Sequence, residues 1–194
     1  MKVLIDNGHG TETPGKRSPD GRLREYAYTR EIANRVMDKL HAAGIDALRI
    51  VPEETDVPLK ERVARANKAH AESGKQALLV SIHCNAMGSG ADWMLARGWS
   101  VFVSGNASQK SKLLARTLAE AALGKGVEVR QPSRQLLYWT ADLCVCRETN
   151  CPAVLVENFF QDNKEDVDFL LSEVGKQCVT DIMVEGIVNY LEKI

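Results

Sequence analysis

Two histidines and two glutamates of this 194-residue chain stand where metal-assisted hydrolysis would need them: His9, Glu25, His83 and Glu157. His9 comes just after an apolar run that ends at Asp6. His83 follows the run Ala77 to Ile82, and Glu157 closes the run Ala153 to Val156. Glu25 opens a helical pattern beyond the loop that leaves His9. Two imidazoles and one carboxylate suit catalytic zinc, which takes three protein donors at about 2.0–2.2 Å and keeps a position for water. A second carboxylate that does not bind the metal can take a proton from that water and pass it to a leaving amine. The metal itself polarises a scissile carbonyl and lowers the water pKa to about 7. Each residue also has an ordinary alternative. A histidine at a strand end is commonly a hydrogen-bonded structural group, and Glu157 could serve as an N-cap or salt-bridge residue. Ligands this scattered also lack the grouped spacing of an HExxH pair.

The elements that must position these groups alternate along the chain. Val3 to Asp6 reads as a short buried strand ending in Asn7-Gly8-His9-Gly10, and a polar loop follows through Pro14, Gly15, Pro19 and Gly21. Helical spacing begins near Glu25, with Ile32, Val36 and Leu40 on one face and Gly44 as the stop. Ala47 to Val51 is a second strand. Pro58 suits the first turn of a helix carrying Leu59, Val63 and Ala66, which ends near Gly74. The unbroken apolar run Ala77 to Ile82 predicts a strand covered on both faces. Trp99 to Val103 is a fourth strand and Ser108 to Leu123 a helix. Residues 124–142 are the least regular part. Leu143 to Cys146 and Ala153 to Val156 read as two more strands, the second ending at Glu157, before helices over Lys164 to Leu171 and Ser172 to Leu191. The expected fold is α/β: a single domain over residues 1–194, with a mostly parallel twisted sheet of about six strands and helices on both faces. Sites in such open sheets form beyond the carboxyl ends of the strands, so all four residues can converge on one edge.

Composition narrows the function. Apolar residues make up 44% and charged residues 26%, an ordinary globular balance, and the formal net charge is −1. Without a Lys/Arg excess, nucleic acid is not expected as a partner. Five cysteines, an odd number with no CxxC pair, read as reduced thiols. The apolar start Val3-Leu4-Ile5 is too short for a signal-peptide core, and no stretch reaches transmembrane length, so membrane insertion is not expected. Cys84 beside His83 invites a Cys–His nucleophile, but neighbours on a strand point to opposite faces. Cys144, Cys146 and Cys151 lack a standard metal spacing, and His41 and His70 read as structural. Asn85, two residues after His83, faces the same side and could orient a ligand or bind substrate. Arg147, at a predicted strand end, could bind a peptide carboxylate or steady an oxyanion, with a plain salt bridge as the alternative. Lys16, Arg17, Arg22 and Arg24 crowd the loop between His9 and Glu25. Tyr138 and Trp139 offer stacking surfaces in the irregular segment.

Four separated segments fall in a telling order: Asp6-Asn7-Gly8-His9-Gly10, Glu25 at a helix opening, Ser81-Ile82-His83-Cys84-Asn85-Ala86, and Pro152-Ala153-Val154-Leu155-Val156-Glu157. Together they resemble the zinc-dependent N-acetylmuramoyl-L-alanine amidases, a family found in cell-separation enzymes, spore-cortex lytic enzymes and phage endolysins. The resemblance covers essentially the whole chain. It implies one zinc ion on His9, Glu25 and His83, with Glu157 as the catalytic acid/base. It also implies peptidoglycan as partner and a reaction: hydrolysis of the amide joining the lactyl group of N-acetylmuramic acid to the L-Ala of the stem peptide. The chain departs from the family pattern at Asn7, where proline is usual, at Thr11, where a second glycine is usual, and at Phe159, where glycine usually follows the catalytic glutamate. Asn163 matches a later family asparagine. The departures bear on the backbone around Glu157 and the shape of the groove. Two other functions stay open: a zinc peptidase or deacylase acting on another acyl-amino substrate, and a binding protein that holds wall peptide without cutting it. Lacking an export signal, the chain resembles a phage or prophage endolysin that accumulates in the cytoplasm and reaches the wall on release. A host enzyme of the periplasm or cell exterior, with its leader outside this sequence, is the alternative. A monomer without a separate wall-binding module is expected, controlled by delivery rather than by a blocking helix.

Overall fold

In a computed structural model, all 194 residues are described. Strand β1 (Lys2–Asn7) leads through a loop to helix α1 (Glu25–Ala42), followed by β2 (Ala47–Arg49), α2 (Leu59–Glu72) and β3 (Ala77–Asn85). Then come β4 (Ser100–Val103), α3 (Gln109–Gly124), β5 (Trp139–Thr140), the single turn α4 (Cys144–Arg147), β6 (Ala153–Phe160), α5 (Lys164–Leu171) and α6 (Glu173–Leu191). One six-stranded sheet results, in the order β2-β1-β3-β6-β4-β5. It is parallel except where β4 runs antiparallel to β6. After β1 the chain steps to β2 on one side and then crosses to β3 on the other. The order therefore reverses between β1 and β3, where an open α/β sheet leaves a crevice at its carboxyl edge.

The central strands are apolar because they are covered twice. On one face Val3, Ile5, Leu78, Val80, Ile82, Val154 and Val156 meet α1, α3, α5 and α6. On the other, Leu4, Leu79, Ala153 and Leu155 meet α2 and α4. Ile32, Val36 and Leu40 of α1 are buried at the helical spacing that predicts them, whereas Leu59 of α2 is exposed. Side chains of Ser108, Asn163 and Ser172 cap α3, α5 and α6 by accepting N–H groups of the first turn. No helix is long and apolar enough to cross a membrane.

Three expectations are corrected. Leu143 to Cys146 is not a strand: Leu143 is extended, its carbonyl accepts N–H bonds from Cys146 and Arg147, and residues 144–147 form a helical turn. A short apolar run fits a buried strand and a buried helical turn equally well by pattern. The sixth strand is instead Trp139–Thr140, at the sheet edge. Finally, β3 and β6 do not stop at Ile82 and Val156. They continue through His83 and Glu157, which pair across the ladder, to Asn85 and Phe160. Between those pairs β6 holds one more residue than β3, a β-bulge.

Candidate metal centre

His9 leaves β1 in a left-handed backbone conformation, φ 63°. The peptide is held there from α1: the Thr29 hydroxyl donates to the Gly8 carbonyl at 3.1 Å and Arg30 Nη1 donates to the His9 carbonyl at 3.0 Å. Gly8 has to be glycine, because a Cβ would enter the space filled by the His83 ring. The two imidazoles meet edge to face, ring centres 5.0 Å apart. Glu25, the first residue of α1, is wholly buried between them. Its Oε1 lies 3.5 Å from His9 Nε2 and 3.3 Å from His83 Nδ1, and accepts the Cys84 N–H at 2.9 Å. One donor atom from each of His9, Glu25 and His83 falls within 4.8 Å of the others.

This arrangement fits a cation. Glu25 Oε2 is buried and has no hydrogen-bond partner, a costly state for a carboxylate oxygen unless something else satisfies it. Two imidazole nitrogens facing one carboxylate form an N/N/O donor set of the kind zinc accepts. Without a cation the site's proton affinity is uneven. Burial takes His9 down to about 4. Burial also pulls His83 down, but the hydrogen bond and charge of Glu25 outweigh it and the net shift is upward. Burial would raise Glu25 as well, yet the two imidazoles and the Cys84 N–H hold it below its usual value.

Glu157 stands directly opposite His83 in the parallel ladder, so the two side chains share a face. The residue is partly exposed, but its Oε2 is buried without a partner, and burial lifts its pKa to about 7 against the opposing pull of His83. A carboxyl poised near neutrality can both accept and deliver a proton at working pH. The charge of Lys16, in the basic loop, acts on both His9 and Glu157.

A cavity of about 820 Å³ opens beside the histidines, walled by Val57, Pro58, Leu143, Val145 and Leu155 and floored by Asp6, Ser81 and Arg62. Beneath it lies a polar network that sequence reasoning missed. Arg62 is 2% exposed. It donates to Asp6 Oδ1 at 2.8 Å, to the Asn7 carbonyl at 2.7 Å and to the Val57 carbonyl at 2.7 Å, and reaches Asp56. Asp6 also accepts from Ser81. The available signal was an arginine between the apolar positions of α2, which reads as a solvated charge until its partners are known. On the opposite face Asn158 donates to the His83 carbonyl at 3.0 Å and accepts from Trp99 Nε1 at 3.1 Å.

The remaining sequence candidates lie as follows. Asn85 is partly exposed at the end of β3; its Oδ1 accepts the Ala86 N–H and its carbonyl the Gln161 N–H. Arg147 closes α4 rather than a strand. Its guanidinium is engaged by Asp142 and Glu148 and lines a separate hollow with His70 and Cys151. The Cys84 side chain is buried in the α1-side core, away from the imidazole of His83. Trp139 Nε1 donates to the Arg130 carbonyl at the sheet edge. His41 bonds the Ala47 carbonyl. All five cysteines are free thiols.

The N-acetylmuramoyl-L-alanine amidase family profile matches residues 3–189. The chain belongs to this family. Among relatives of this amidase chain, the endolysin of Bacillus phage SPP1 is 30% identical over 189 residues, covering 97% of this chain and 65% of that protein. The N-acetylmuramoyl-L-alanine amidase AmiC of Neisseria meningitidis is 26% identical, covering 97% of this chain and 52% of that one. This chain therefore spans less than two thirds of either relative. Among solved structures, the N-acetylmuramoyl-L-alanine amidase of Clostridium difficile 630 superposes with a TM-score of 0.85 at 27% identity, covering 98% of this chain and 96% of that one. The mostly parallel six-stranded sheet is thus the fold of amidase catalytic domains.

Proposed function

We propose that this protein is a zinc-dependent peptidoglycan hydrolase that cuts the amide between N-acetylmuramic acid and the L-Ala of the stem peptide. The observation that carries the reading is the carboxylate pair at one sheet edge. Glu25 is buried between two imidazoles with an unsatisfied oxygen, and Glu157, poised near neutrality, stands across from His83. Family membership supplies the substrate, since the chain's relatives are named amidases and endolysins.

His9, Glu25 and His83 would hold the zinc, which when bound polarises the scissile carbonyl and makes water a better nucleophile. Glu157, ionised, takes a proton from the attacking water as oxygen bonds to the lactyl carbonyl carbon. It then delivers that proton to the L-Ala nitrogen as the carbon–nitrogen bond breaks. The products are a lactyl carboxylate and a free amino terminus. Asp6 and Arg62 keep the end of β1 in place, and Arg30 with Thr29 fixes the His9 peptide.

The deciding experiment is digestion of purified sacculi by the zinc-loaded protein. Newly exposed N-terminal L-Ala is the expected product; new reducing sugars or cleavage within the stem peptide would overturn the assignment. A phage or prophage setting is favoured by the 30% identity to the SPP1 endolysin. There the protein would act on the wall after release through a membrane lesion. Expression should then be tolerated until the membrane is permeabilised, and self-lysis on expression alone would argue for a host remodelling enzyme.

A further inference from the structure

We propose that the edge-on packing of Phe159 against Phe169 is a positioning device for Glu157, by which this chain manages without the glycine that the bulge of β6 calls for. The inference rests on the amidase reading for its catalytic readout and on geometry for the rest. Along β6, alternation sends Val154 and Val156 into the core under α1, α3 and α6, and Ala153 and Leu155 to the opposite face. Glu157 continues the second series and Asn158 the first. Phe159 should return to the face of Glu157. It does not: it joins the same core as Val154 and Val156, so two consecutive side chains enter one face.

The bulge accounts for this. His83 pairs with Glu157 but Asn85 pairs with Phe160, so β6 fits one extra residue into that interval. Phe159 takes the left-handed conformation, φ 62°, which the extra residue of such a bulge adopts and which glycine adopts without penalty. A bulky side chain there is a real outlier and persists only when its surroundings over-determine it. Here the ring is 5% exposed and packs edge-on against Phe169 of α5, centres 5.1 Å apart. The strand is also pinned on either side. Asn158 ties the His83 carbonyl to Trp99, the Phe160 N–H donates to Asp166 at 3.0 Å, and the Gln161 N–H donates to Asn85. Among these ties only the aromatic contact acts on the strained residue itself. Removing Phe169 frees Phe159 to return toward extended backbone, which unmakes the bulge two residues from Glu157 and shifts the carboxylate relative to His83.

The test is a rescue. On sacculi, zinc-loaded Phe169→Ala should lose about tenfold in kcat with KM within about twofold and zinc stoichiometry unchanged, since His9, Glu25 and His83 are not moved. Phe159→Gly, which takes φ 62° without a lock, should keep kcat within about threefold of the parent. The double variant Phe159→Gly/Phe169→Ala should match Phe159→Gly rather than fall below both. If aromatic packing here were structural only, the double variant would be the worst of the three. The proposal is overturned if folded Phe169→Ala keeps parental kcat, or if glycine at 159 fails to rescue it. Should Phe169→Ala not fold, Phe169→Leu, with bulk but no ring, enters the same comparison. The backbone carbon shifts of residue 159 by NMR separate this proposal from the amidase reading. They should report the left-handed conformation in the parent and lose it in Phe169→Ala, whether or not the parent releases L-Ala.

Discussion

Glu25 and Glu157 meet at one sheet edge, the first wholly buried and the second with one oxygen sealed from water, and their surroundings drive them apart. Two imidazoles and a backbone N–H hold Glu25 ionised, whereas burial lifts Glu157 to about 7. That separation accords with the proposed roles: a permanent anion suits a ligand, and a group that changes state suits proton transfer. Glu157→Gln should lower turnover by about 10²–10⁴-fold while zinc remains bound. The same change should stabilise the metal-free protein. A carboxyl whose folded pKa lies above its ordinary 4.5 binds its proton more tightly when folded, so the parent's stability falls as pH rises from about 4.5 to 7 and is lowest above 7. Glutamine carries no such penalty. The variant should therefore match the parent near pH 4 and exceed it at pH 8 by up to roughly 3 kcal/mol, or roughly 5–10 °C in Tm. Thermal melts at the two pH values check this; equal Tm differences at both would show that Glu157 is not held near neutrality by burial. Zinc gives the complementary result for Glu25. Added at a hundredfold over its Kd, it should stabilise the parent by about 2.7 kcal/mol, and Glu25→Gln should respond weakly or not at all.

At the scale of elements, the site depends on how α2 is fastened to β1. Arg62 brings a guanidinium into a position that is 2% exposed and spends its donors on Asp6, Asp56 and two carbonyls. A buried ion pair contributes little over apolar packing, but losing one partner strands the other charge. Arg62→Met should therefore cost about 3–5 kcal/mol in urea denaturation, since Asp6 would be left buried with only Ser81 as a side-chain partner. Adding Asp6→Asn should recover a good part of that loss. If the double variant is as unstable as the single, the cost lies in the carbonyl bonds that hold Asn7 and Val57 and not in the charge. Neither partner was marked by pattern: Asp6 reads as a strand terminus and Arg62 as a surface arginine, because what makes them functional is a contact between residues 56 apart. Similarly, the Leu143 run misleads because four apolar residues suit a strand and a helical turn alike.

For the molecule as a whole, the sequence was most readable where one physical rule governs a long segment. Doubly covered parallel strands demand unbroken apolar runs, which place β3 and β6, and helical spacing places α1 and its buried stripe. The convergence of His9, Glu25, His83 and Glu157 on one edge follows from parallel strands that end together. Which strands are neighbours does not follow from any local pattern, nor does the reversal of Phe159 into the core, which depends on a bulge between distant strands. The cysteines show how the finished packing acts on chemistry that composition leaves open. Cys84, Cys146 and Cys151 are buried, and burial pushes Cys146 and Cys151 up to about 12 and holds Cys84 well above the usual thiol value. Since the thiolate is the reactive form, these three should resist a disulfide reagent at pH 8 in the native protein. Cys144 and Cys178, which are partly exposed, should react first, and all five should react in guanidinium. The slow thiols report on different parts of the fold. Cys84 follows His83 on β3 with its side chain in the α1-side core, and Cys146 sits in the α4 turn that walls the cavity. Zinc should slow Cys84 further by tying Glu25 to the histidines, and leave Cys146 unchanged. If Cys146 instead reacts at the denatured rate while circular dichroism stays native, the α4 turn opens independently of the sheet, and the cavity wall beside His83 is a moving part.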